Sequence, residues 1–286
     1  MHSQGSSIGT HRPFIPSNAV LGNPPVLTLD NARRAVIAGM TLNPNYKGTL
    51  TTFHIENANT TALENCSIRI HGIHPDATIK EILGEIHTGK IYSVNRCPPE
   101  VGKIETAAAD IVFLTRAAAE AFINEAKSGI YIRGKPLFVG WNRNRVREPK
   151  NISPEDSRVV RITGPEHVLS VEMLEDLFRQ YFRFELVDTR TWQGARGQMT
   201  FELTFESIHP QATWARRVFK QHFEVGRHSD FHIRFGPDPC EDPTRLVEGL
   251  ERQSRLALSW RRGEAVDDKV ERPTHPQIWD KPWRQL

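Results

Sequence analysis

The chain has 286 residues, 38% hydrophobic and 25% charged, and its 37 Lys and Arg stand against 34 Asp and Glu for a formal net charge of +3. That length suits about two domains with residues left for tails, and the composition fits a globular protein that also carries polar segments. A balance so close to neutral excludes a general nucleic-acid coat protein, so any polyanion contact has to come from local patches.

Cys66, Cys97 and Cys240 are odd in number and far apart, which suggests neither a disulfide framework nor a zinc ligand set. The opening stretch MHSQGSSIGTHRPF has no apolar leader region, and no later run approaches the roughly 18 apolar residues of a membrane span. No membrane partner is expected, and the expected setting is intracellular, in nucleus or cytoplasm. In that setting the Asn-x-Ser/Thr triplets at Asn59, Asn65 and Asn151 read as chance matches.

Residues 1–62, rich in Pro, Asn, Thr, Ser and Gly, are expected to form a largely disordered arm. One helical patch interrupts it, DNARRAVIAGM, with Asp30 as N-cap and Gly39 as stop. From Cys66 the texture changes. CSIRIHGI alternates as a strand, with Ile68 and Ile70 on one face and Arg69 and His71 on the other. HPDATIKEILGEIHTG places Ile79, Ile82, Leu83 and Ile86 on one helical stripe, opened by a Thr78–Glu81 capping box and expected to end at Gly89. KIYSVNRC and AAADIVFLT follow as strands, the latter with Ala109, Ile111 and Phe113 on one face and Ala108, Asp110 and Val112 on the other. RAAAEAFINEA is a second helix of strong helix formers. KPLFVGWN is a fourth strand, with Leu137, Val139 and Trp141 expected inward and Phe138, Gly140 and Asn142 outward. The order β-α-β-β-α-β is the split arrangement of the ferredoxin-like fold.

The unit then repeats. RVVRITGP sets Arg161 92 positions after Arg69, and the same shift takes Gly72 to Gly164, Thr78 to Ser170, Ile82 to Leu174, Asp110 to Glu202 and Phe113 to Phe205. FELTF, PQATWARRVFKQH and DFHIRFG supply the third strand, second helix and fourth strand of this copy. The expected fold class is α+β, two tandem ferredoxin-like domains at 64–146 and 157–237, joined by a polar linker at 147–156 that allows limited independent motion. Residues 238–286 are expected to form a C-terminal helix, from a cap at Asp242–Pro243 to Gly263, and an extended tail bearing Trp279 and Trp283.

In its order of elements, its first strand ending in Gly, its helix start and its ADIVF segment followed by an Ala-rich helix, the repeat resembles the RNA-recognition motif. The resemblance covers about 64–146 and 157–237. It implies a four-stranded sheet ordered fourth-first-third-second, two helices behind it, and single-stranded RNA on the open face. The family's stacking aromatics, however, fall on Arg69, Ala108 and Asp110 in the first copy and on Arg161, Thr200 and Glu202 in the second. Stacking is worth about 1–3 kcal/mol per base, so this contribution is missing at those positions. Arg69 with Asp110, and Arg161 with Glu202, fall on neighbouring outward sites and are expected to form cross-strand ion pairs.

Held by those acids, Arg69 and Arg161 are RNA-binding candidates, offering guanidinium planes to bases or phosphates; the remaining candidates are His71, Phe138 as the outward aromatic of the fourth strand, and Asn142. To these are added Arg143, Arg145 and Arg147 in the basic run WNRNRVREPK, and Arg234 in the second copy. Cations after a strand end can neutralise phosphates. GEIHTGKI resembles a phosphate loop, but it ends in Ile91 and runs from helix to strand, the reverse of what phosphate binding needs. His71 and His74 straddle a strand end without a third ligand. No nucleophile or paired-carboxylate arrangement stands out. The expectation is a non-catalytic RNA-binding protein with no cofactor and no metal, contacting RNA mainly through the first domain and its basic extension. The alternative is a protein-interaction module that has lost RNA binding and meets a partner through its helices or C-terminal tail.

Overall fold

The structure is a computed structural model that describes residues 29–39, 52–99, 102, 104–194, 197–223, 225 and 229–241. In the first unit β1 (Ser67–Ile73), β2 (Ile91–Cys97), β3 (Ala107–Phe113) and β6 (Phe138–Trp141) form one antiparallel sheet ordered β2-β3-β1-β6. Its apolar alternates, Ile68, Ile70, Ala109, Ile111 and Phe113, are buried against Ile79, Ile82 and Leu83 of helix α3 (Ile79–Leu83) and Ala118, Ala119 and Phe122 of helix α4 (Arg116–Ala126). The second unit repeats the plan with β7 (Val159–Pro165), α5 (Val171–Arg179), β8 (Leu186–Gln193), β9 (Gln198–Phe205), α6 (Thr213–His222) and β10 (His232–Phe235), its sheet ordered β10-β7-β9-β8. Both orders read fourth-first-third-second, and the chain is a tandem pair of ferredoxin-like domains.

Local chemistry sets the helix starts. Thr78 Oγ1 accepts from the Glu81 N–H at 3.1 Å, while the Glu81 carboxylate accepts from the Thr78 N–H at 2.6 Å. Ser170 Oγ accepts from Met173 N–H in the second copy, and Thr115 caps α4 through Ala118 N–H. Three boundaries differ from expectation. Helix α3 stops at Gly84, five residues before Gly89: tight turns, Glu85 N–H on Ile82 O and Ile86 N–H on Leu83 O, carry the chain on and still deliver Ile86 to the core. The expected fourth strand is split. Arg133 and Gly134, both at positive φ, turn β4 (Tyr131–Ile132) back onto β5 (Lys135–Pro136) before β6 begins at Phe138. In the arm, helix α1 (Leu29–Ile37) starts one residue before Asp30, so Asp30 is not its N-cap.

Part of the arm belongs to the first unit. Helix α2 (Thr52–Glu56) and the following residues pack with Ile55 and Thr60 buried. Asn65, also buried, ties this segment to the end of β6. Its Oδ1 accepts from Ser67 N–H at 2.9 Å and Val146 N–H at 3.1 Å, and its Nδ2 donates to Asn142 O. The disorder expected for the rest of residues 1–62, the C-terminal helix from Asp242 to Gly263, and the tail with Trp279 and Trp283 lie outside the described residues.

The two units are packed together across a shared interface. The edge strand β2 is extended by the second unit, with Val94 N–H donating to Glu206 O at 2.9 Å and a bridge between Ser93 and Ser207. Lys80 of α3 reaches Asp188 of β8 at 2.8 Å. After β10 the chain returns to the first unit through a short turn, Pro239–Glu241. There Cys240 is buried in the first unit's core, although it follows the expected boundary at 237. Asp238 accepts from Ile91 N–H and forms a buried bidentate pair with Arg158, at 2.9 and 3.0 Å.

Candidate nucleic-acid interface

Each sheet has helices on one face and its polar alternates on the other. In the first unit Asn95, Asp110, Arg69 and Gly140 stand side by side across β2, β3, β1 and β6. Arg69 Nη1 lies 2.7 Å from Asp110 Oδ1. Burial works against the guanidinium's charge, but the hydrogen bond and charge of Asp110 outweigh it and hold its pKa above the ordinary value. Cys97 sits near both, and burial, with Asp110 adding to it, pushes its thiol pKa up. The thiol is therefore a neutral, unreactive neighbour.

His71 and Phe138 are paired in the next row and both are exposed, Phe138 by 67%. The ring lies over Gly72, which holds φ +80, where an added Cβ would meet Phe138 Cδ2 at 3.3 Å. Glycine at this strand end thus lets the chain turn and leaves room for the ring.

Two neighbouring side chains depart from expectation. Asn142 is buried, and its Nδ2 donates to Asp110 Oδ1 at 2.9 Å, so it braces the Arg69–Asp110 pair. Trp141 is 39% exposed, with the Arg116 guanidinium stacked 3.5 Å from its ring centroid. An edge strand whose outer side meets no further layer cannot bury so large a ring, and the cation covers it instead.

The other end of this face is closed. Val112, Cys66 and Val146 form a small apolar cluster with Tyr92 against them. The basic run that contains Val146 is engaged in the same fold-back. Arg145 donates to Thr60 O at 3.3 Å, and Arg147 donates through its backbone N–H to Asn57 Oδ1 at 3.0 Å and through Nε to Thr60 Oγ1 at 3.3 Å. Arg143 is exposed.

In the second unit the outward rows are Arg234–Arg161–Glu202–Arg190 and His232–Thr163–Thr200–Trp192. Arg161 Nε lies 2.6 Å from Glu202 Oε2, and its guanidinium carbon is 5.6 Å from the Trp192 ring centroid. Arg234, Arg190, His232 and Trp192 are exposed, Trp192 by 42%. The opposite end of the face is covered. Lys80 and Leu83 of α3, with Gly84 just after it, line a cavity of about 40 Å³ with Arg158, Asp188, Thr204 and the near sides of Arg190 and Glu202, and Arg190 Nε lies 3.3 Å from Asp188 Oδ2.

Sequence reasoning missed Arg190 and Trp192, because the second strand of the second copy was not delineated. The signal was present: in VDTRTWQ, Asp188, Arg190 and Trp192 alternate. Among the described residues no group of three or more His, Cys, Asp or Glu side chains could hold a metal ion, and no helix is long and apolar enough to cross a membrane.

No protein-family model matches the chain, and no curated protein matches it. Among solved structures it is similar to RNA recognition domains 1 and 2 of Sex-lethal from Drosophila melanogaster, at 16% identity over 60% of this chain and 100% of that one, with a TM-score of 0.23. It is also similar to the first two RRM domains of the yeast poly(U)-binding protein Pub1, at 11% identity over 60% and 99% and a TM-score of 0.23. A third similar structure is the C. elegans NONO-1 homodimer, at 15% identity over 71% and 88% and a TM-score of 0.24. Likeness at this level carries no argument about function, and the fold assignment rests on the strand orders and registers given above.

Proposed function

We propose that this protein is a non-catalytic binder of single-stranded RNA that uses the free end of each sheet face. The observation that carries the reading is an exposed aromatic near arginine on each face: Phe138 with His71 beside the Arg69–Asp110 pair, and Trp192 beside the row that holds Arg161, Arg190 and Arg234. An exposed ring offers stacking to any base, and guanidinium groups serve both bases and phosphates. Asp110 and Glu202 hold Arg69 and Arg161 in place but repel phosphate, so affinity per site is modest, and two linked sites gain by effective concentration. Arg143 extends the first face as a phosphate contact, whereas Arg145 and Arg147 act by anchoring residues 57–60.

An anisotropy titration with mixed-sequence single-stranded RNA at low salt tests this. Phe138→Ala and Trp192→Ala are each expected to weaken binding by roughly 5- to 100-fold, the loss of one stacked base. Undiminished affinity in the double variant sinks the assignment. A second reading, a protein-interaction module, is favoured by one observation: α3 of the first unit already lies over part of the second sheet face. That face can therefore accept protein.

A further inference from the structure

The solvent face of α6, on the helical side of the second unit and opposite its sheet face, carries an unused patch of charge. Ala215, Val218 and Phe219 bury its inner stripe, while Trp214, Arg217, Lys220, Gln221 and His222 are exposed. Thr213–His222 contains no acid. Arg217 stacks 5.2 Å from the Trp214 ring centroid. His222 Nε2 meets Tyr181 Oη at 3.0 Å, which brings the exposed Tyr181 and the segment that carries the exposed Arg183 beside the end of α6. Arg179, by contrast, is taken up by Glu175 and Asp176.

Cations in a helix's last turn are explained by its dipole, which accounts for Lys220 and His222. It does not account for Arg217 a turn earlier, nor for an exposed tryptophan held under a guanidinium. Along Thr213–His222 basic side chains are interleaved with an aromatic and no acid, and Glu175 and Asp176 of the adjoining α5 are paired with Arg179; such a stretch is complementary to a polyanion. We propose that this face is a second RNA-binding surface, which takes the phosphate backbone of strand that continues beyond the sheet faces. The inference rests on the RNA-binding reading above. Because helices and open face lie on opposite layers of the fold, only a strand longer than the sheet sites can reach it.

The test compares a short single strand with a longer one on the full chain, using Arg217→Glu/Lys220→Glu and the neutral Arg217→Gln/Lys220→Gln. Both residues are exposed, and a thermal melt checks that the variants fold. For the long strand, charge reversal is expected to weaken binding roughly tenfold or more at low salt and to flatten the slope of log K against log salt by about one unit. The short strand is expected to bind as in the wild type.

An unchanged long-strand affinity and slope, with Trp192→Ala still weakening both strands, overturns this surface and leaves the sheet reading intact. Equal weakening of both strands by the α6 variants would contradict a surface that only the longer strand reaches and overturns the proposal; if Trp192→Ala then has no effect, the sheet reading falls with it. Hydrogen exchange adds an independent readout: RNA should slow exchange across 214–222.

Discussion

Asp238→Ala should destabilise the protein by an amount that reveals how the two units are joined. The Arg158 and Asp238 side chains are 2% and 0% exposed, paired at 2.9 and 3.0 Å, and Asp238 also accepts from the backbone N–H groups of Cys240 and Ile91. Removing the carboxylate leaves a buried guanidinium without its counter-charge, which costs about 3–5 kcal/mol. The two orphaned N–H groups add to that, about 1–3 kcal/mol each before relaxation. A domain's whole stability is about 5–15 kcal/mol, so the variant should sit near the edge of folding.

Arg158→Met/Asp238→Leu should recover much of the loss, because a buried ion pair replaced by apolar side chains is often neutral. Urea unfolding followed by tryptophan fluorescence measures both variants. A cost below about 1 kcal/mol for Asp238→Ala would refute the buried pair. Two separate transitions in the wild type would refute a single cooperative body built around it.

Glu206 lies at the junction with β2, and burial, reinforced by the nearby Glu185 charge, raises its pKa from 4.5 to about 7. It is protonated in folded and unfolded states below pH 4.5 and ionised in both above 7, so the wild type should lose roughly 3 kcal/mol as pH rises between those values. Glu206→Gln should remove most of that fall, and parallel stability–pH curves would contradict the assignment. Asn65→Ala should cost about 2–4 kcal/mol, since it strands the buried N–H groups of Ser67 and Val146; unfolding measurements with a loss near zero would mean those donors find other partners. The Cys240 thiol, buried and with its pKa pushed up to about 12 chiefly by burial, should resist alkylation until global unfolding. Labelling of Cys240 under native conditions would show the Pro239–Glu241 turn opening on its own.

The fold was legible because two periodicities repeated at a fixed offset: strand alternation around Arg69 and Arg161, and capped helix stripes after Thr78 and Ser170. What escaped sequence reasoning depends on contacts between segments far apart in the chain. Nothing local marks Cys240 as a core residue of the first unit, since its partners there come from 150 residues upstream. Nor does the basic run show that Arg145 and Arg147 hydrogen-bond Thr60 and that Arg147 also meets Asn57. The inward placement of Trp141 followed from alternation alone, which does not report that an edge strand lacks a second layer to cover it. Arg190 and Trp192 were within reach of the same alternation that located the other strands.

The most direct test of the account is to follow the indole N–H resonances of the six tryptophans while single-stranded RNA is added to the full chain. Trp192 should shift early with a short strand, while Trp141, capped by Arg116 on the other side of its sheet, should stay in place. Movement of Trp141 without Trp192, or no movement of any indole at saturating RNA, would contradict the claim that RNA binds at the open ends of the sheet faces.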